Sequence, residues 1–172
     1  MALVVEDGSG LVNADAYLSV AEFKTYRLNN YPVASAVTDE AIEQAIRRAT
    51  RFVDSRYGTS FLGYILLADQ SLMWPRGGVW QTAAEAFLLD DDIVPQRVKD
   101  ATAEAAIREL VSPGSLSPDR VPSEQVTELT VGPITTKYAN VASSRPVVTI
   151  IDEILSPLTS GTGSLTQFVM RA

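Results

Sequence analysis

The run TDEAIEQAIRRATRFVDSRYG, Thr38 to Gly58, constrains the chain more than any other. Ile42, Ala45, Ile46, Ala49, Phe52 and Val53 recur at three- and four-residue steps, so a helix from Asp39 to about Tyr57 would carry them on one face. Thr38 is the expected cap, Asp39 and Glu40 fall in the first turn, and Arg47, Arg48, Arg51 and Arg56 lie later, which suits the helix dipole. Gly58 is the expected stop. A stripe this wide must be buried, so the remaining elements have to supply its cover.

Three further helices are expected. Ser19 followed by Glu22 has capping-box spacing, which starts a helix at Val20 that ends near Asn29, before NNYP. Pro95 is expected at the first position of another, with Val98, Ala101, Thr102, Ala105, Ala106 and Leu110 inward and Pro113-Gly114 at its end. PVVTIIDEILSPL reads as a last short helix with Ile150, Ile151, Ile154, Leu155 and Leu158 in one stripe. Leu3 to Val5 reads as a short strand or anchored arm broken by EDGSG. QSLMW reads as a helical turn ended by Pro75. After the linker SPGSLSPDRVPSE the period changes to that of strands: Val126 to Val131 and Ile134 to Tyr138 flank Gly132-Pro133 as a hairpin or extended arm. The expectation is a mainly α protein, a small bundle of about four helices with a β-hairpin. It forms one domain over residues 1–158, and a flexible tail follows over 159–172.

Composition removes several functions. With no histidine, Ser-His-Asp and Cys-His catalysis and the commonest metal ligand are absent, and with no cysteine so are disulfides, zinc–thiolate sites and thiol nucleophiles. A net charge of −7 opposes general phosphate binding. MALVVEDGSG lacks the basic start of a signal peptide, and no apolar run approaches the ~20 residues of a membrane span. A soluble, non-enzymatic protein made and used inside a cell is expected, with no cofactor, no metal and no membrane partner.

Four candidate sites were weighed. Trp74, Pro75, Arg76, Gly77 and Gly78 combine a stacking ring, a guanidinium and two glycines. One aromatic and one arginine do not make a nucleic-acid groove, so a structural loop or interface is expected. Arg47, Arg48 and Arg51 form either a solvated helix face or a basic interface patch. Asp90, Asp91 and Asp92 lack the alternating spacing of a calcium loop and read as a charged loop before a helix. Gly161-Thr162-Gly163 is a linker with no strand before it, not a dinucleotide fingerprint. Beyond it, Leu165, Phe168, Val169 and Met170 make an apolar segment expected to dock on another surface.

Six stretches in this order resemble a known family: LVVEDGSGLVNADAYLSVAEFKTY, RRATRFVDSRYG, QSLMWPRGGV, IVPQRVKDATAEAAIREL, VGPITTKYA and SSRPVVTIIDEILSPL. They are similar to a tailed-phage family often labelled DnaT-like single-stranded DNA-binding protein, over roughly Leu3 to Leu158. Its helical layout resembles that of head–tail adaptors, the head-completion proteins beneath the portal. The adaptor likeness implies a ring of about twelve copies in the virion neck. One surface of the ring would sit on the portal protein and the other on a tail or stopper protein, with genomic DNA passing through unbound. The family label implies instead a replication protein that binds single strands. The acidic balance, the scarcity of aromatics and a strand pair that needs neighbours favour the adaptor.

Overall fold

The computed structural model describes residues 3–32, 37–81, 87–118, 128–131, 134–137 and 148–160. Four helices occur among them: α1 (Val20–Asn30), α2 (Asp39–Tyr57), α3 (Gln96–Val111) and α4 (Thr149–Leu155), the last running into a 3-10 turn over Ser156–Leu158. Three antiparallel strand pairs complete the layout: β1 (Tyr64–Ile65) with β2 (Arg76–Gly77), β3 (Trp80–Gln81) with β4 (Phe87–Leu88), and β5 (Glu128–Val131) with β6 (Ile134–Lys137). The protein is a small, mainly helical domain.

The expected caps are in place. The Ser19 hydroxyl accepts from the Glu22 amide and the Glu22 carboxylate accepts from the Ser19 amide, closing the capping box. Thr38 accepts from the Ala41 amide at the start of α2. Gly58 does end α2, but with ordinary right-handed backbone; what requires glycine is space, since a Cβ would lie 2.4 Å from the Asp54 carbonyl oxygen. Pro95 takes the position just before α3, not its first turn.

The core forms where α2 meets α3, with α1 and α4 closing on α3. From α2, Ile42, Ala45, Ile46, Ala49, Phe52 and Val53 are all buried, each large one contributing about 1.5–3 kcal/mol. The single inner face expected of α3 is an underestimate. Ala103, Glu104 and Glu109 are buried as well, because neighbours cover this helix on several sides and its alanines let them approach. Ile151, Leu155 and Leu158 of the last stripe are buried, while Ile150 faces outward.

Three buried glutamates knit the segments together. Glu6 accepts from the amides of Gly8, Gly10 and Leu11 at 2.9–3.0 Å, which shapes the EDGSG turn. Glu104 on α3 accepts from the Tyr26 and Tyr31 hydroxyls and from Arg108, tying α1 to α3. Glu109 accepts from Arg48 at 2.7 Å and from the Gly114 amide at 2.8 Å. Satisfied in this way, each carboxylate holds its place despite burial.

The stretch between α2 and α3, read from sequence as loose, contains β1 to β4. QSLMW is not a helical turn but a run of bends whose Ser71 is bonded to the carbonyls of Leu11 and Ala14. The expected hairpin is present as β5 and β6, in register from Glu128 opposite Lys137 to Val131 opposite Ile134. Among the described elements it packs only on itself. Leu3 to Val5 forms an anchored arm: Val5 bridges Ala16 in parallel, and the Glu6 amide donates to Ala16 at 2.9 Å.

Candidate functional site

The WPRGG segment lies inside the molecule. Trp74 is fully buried against Phe61 in an edge-to-face contact, ring centroids 5.5 Å apart, and its peptide bond to Pro75 is cis. Gln70 donates to the carbonyls of Leu72 and Pro75, closing the bend from the side. Gly78 has a φ of 68°, as expected of a turn glycine. Gly77 sits in β2, and there a Cβ would meet the Tyr64 ring at 2.8 Å. The segment is a packed bend, and Arg76 does not stand at an interface. Arg76 is only 7% exposed and points inward, where its guanidinium donates to the carbonyls of Phe61, Leu62, Gly63 and Met73 at 2.8–3.4 Å. A partner would not reach it. Four of its five donors go to these carbonyls.

Beneath this turn is a buried polar pair. The Tyr17 hydroxyl donates to one oxygen of Asp54, the Met73 amide donates to the other, and the Trp74 amide donates to the Tyr17 oxygen at 3.2 Å. Burial pushes the Asp54 carboxyl up to about 6, against the pull of the Tyr17 and Met73 hydrogen bonds and the Arg76 charge. Burial, then the Asp54 charge, raises the Tyr17 hydroxyl well above its ordinary value. Nothing in the sequence marks this pair, whose members are 37 residues apart. The cleft above it, about 510 Å3, is lined by Ala14, Asp15, Arg51, Ser71, Leu72 and Met73 among others.

The arginines of α2 divide. Arg47 pairs with Asp15 at 2.7 Å and with Glu43 at 3.7 Å, and Arg48 pairs with Glu109 at 2.7 Å. Arg51 alone of the three is exposed, on the wall of that cleft. The structure therefore does not gather the three into a basic patch. Other cations are engaged too: Lys24 with Asp39, Arg56 with Asp152, Lys99 with Glu22 and Arg108 with Glu104.

Asp90, Asp91 and Asp92 lie exposed in the loop before α3. Gly8, at a φ of 103°, fits under the Asp92 carbonyl, where a Cβ would stand 1.8 Å from the oxygen. Among the described residues no group of three or more acidic side chains is placed to hold a metal ion, and no helix is long and apolar enough to cross a membrane. With Gly8, Ser9, Leu66 and Leu67 the three aspartates line an open cleft of about 600 Å3. Leu67 lines it, and further exposed apolar residues lie within a few positions of its lining in the chain or paired to such positions: Tyr64, Ile65, Phe87 and Leu88, with Trp80 opposite Leu88. Isolated apolar residues between turn signals give no periodicity that would mark such a surface. Gly161-Thr162-Gly163, Leu165, Phe168, Val169 and Met170 lie outside the described residues.

Neither the curated proteins nor the solved structures gave a match. The family model described as "Putative DnaT-like ssDNA binding protein" matches residues 1–172, and the chain belongs to that family.

Proposed function

We propose that this chain is a non-enzymatic assembly subunit, a head–tail adaptor. It forms a ring beneath a phage portal and joins the filled head to a tail or stopper protein. What supports this reading is the arrangement of charge. Lys24, Arg47, Arg48, Arg56, Lys99 and Arg108 each face a carboxylate of the same chain and Arg76 is buried, within a net charge of −7. DNA passes through such a ring without adhering, because a chain of net charge −7 presents no basic field to release counterions from it. The exposed apolar group beside Asp90–Asp92 is the kind of surface a protein partner covers. Co-expression with the portal protein of the same phage, followed by electron microscopy, tests the proposal. Ring-shaped density under the portal is expected; a bare portal beside free chain would overturn it.

The second reading, single-stranded DNA binding, has its own support. It is named in the description of the family to which the chain belongs, and no comparison speaks for the neck. Tyr64, Trp80 and Phe87 are exposed rings on which bases could stack. Their charged neighbours are Asp90, Asp91 and Asp92, the wrong sign for a phosphate track. Titration with an oligothymidylate, read by Trp80 fluorescence at low and high salt, separates the two readings. Salt-sensitive quenching establishes strand binding, and unchanged emission removes it.

A further inference from the structure

The apolar group around the Asp90–Asp92 cleft is well exposed: Tyr64 is 62% accessible, Trp80 57% and Leu88 52%. Two features indicate what covers it. The first is charge. The rim of the cleft is acidic, so its occupant should be apolar and carry a cation. Within the chain, the stretch after Ser160 fits: Leu165, Phe168, Val169 and Met170 are followed by Arg171, the one charged residue between 159 and 172. The second is where that stretch begins. Thr159 bridges Phe61, Leu62 donates to the Leu158 carbonyl, and Ser160 donates to Ser60 at 2.8 Å. The root of the segment is therefore fixed beside the residues that lead into β1, and the preceding 3-10 turn packs on β3.

The pairing at the root is antiparallel. As the chain advances from Leu158 to Ser160 its partners run from Leu62 back to Ser60, so at Ser160 it is heading away from β1 and the Leu66–Leu67 wall that follows it. Eleven residues from 161 to 171 span at most ~36–40 Å, ample to reach a neighbour. We infer that residues 165–171 of one copy seat on Tyr64, Ile65, Leu67, Trp80, Phe87 and Leu88 of the next, with Arg171 against Asp90–Asp92. This is a head-to-tail contact, the type that closes rings. It rests on the proposal that copies of the chain assemble, and it identifies the joint.

The absence of cysteine makes the test clean. Two full-length chains, one carrying Asp91→Cys and the other Met170→Cys, are mixed and treated with a short bis-maleimide; the linked peptides are then identified by mass spectrometry. A 91–170 link between chains is expected. Arg171→Glu should lower its yield about fivefold, and adding Asp90→Lys to the partner copy should restore it. Phe168→Asp should lower the yield about tenfold or more. Chains that associate by light scattering but give no such link would overturn the inference and leave assembly standing. Monomeric chains with no link would overturn it as well, and the portal experiment then decides the wider reading. A link formed within a single doubly substituted chain at high dilution would show the cleft filled by its own segment, which also overturns it.

Discussion

Arg76 illustrates how far a residue's use can depart from its chemical type. A guanidinium in a glycine-rich bend invites a phosphate or an acidic partner, yet here it gathers four backbone carbonyls. Arg76→Ala would leave those acceptors buried without donors, a loss of about 2–4 kcal/mol. The thermal midpoint should fall accordingly, while Arg51→Ala, on an exposed side chain, should leave it within about a degree. Equal midpoints for both variants would mean the carbonyls find water instead. Asp54 carries a second prediction, in pH. Its carboxyl titrates near 6 in the folded chain and at the ordinary 3.8 when unfolded. Between those values the folded state holds a proton that the unfolded state has released, so this group's contribution to stability falls as pH rises and levels off above about 6. The full span is on the order of 2–3 kcal/mol. Asp54→Asn removes the titration, so its midpoint relative to the parent should climb between pH 4 and pH 7. Parallel profiles would show that burial does not hold the proton.

At the level of elements, the local signals were legible. Ser19 with Glu22 and Thr38 with Asp39 fixed two helix starts, because a cap is a contact between neighbours in sequence. Ser19→Ala and Thr38→Ala should each cost about 1 kcal/mol in denaturant melts, and the double variant about their sum, since the two caps share no partner. A double variant much worse than that sum would mean that α1 and α2 support one another through their first turns. What the sequence did not disclose depends on contacts far apart in it. Glu104 is a polar residue outside the apolar face expected of α3, and the Tyr26 and Tyr31 hydroxyls with Arg108 make its burial possible. The two-residue strands β1 to β4 are too short to carry an alternating pattern, so the segment between α2 and α3 read as loop. The site suffered most from this. Its side chains come from Gly8–Ser9, Leu66–Leu67 and Asp90–Asp92, three stretches that meet only in the fold.

For the molecule as a whole, the distribution of contacts separates what holds the fold from what is offered outward. The helices and the Glu6, Glu104 and Glu109 networks are internally complete. The β5–β6 pair is different: none of the other described elements packs on it, and a two-stranded pair in water is marginal. A chain in which residues 126–138 are replaced by a short glycine-serine linker should therefore keep the helical body. Its far-UV signal should melt in one transition, with the midpoint moved by no more than a few degrees, since the loss is below about 1 kcal/mol on the helical core. On the adaptor proposal the same chain should fail to enter rings beneath the portal, because a strand pair on which no other described element packs has its surface free for neighbours. A large drop in midpoint would place the pair in the folded core and take away its use as an assembly arm. If the midpoint holds and the rings still form, the arm has no structural task in assembly. The joints between copies would then have to be carried by the apolar surface beside Asp90–Asp92, the part of the described molecule that most visibly lacks a cover.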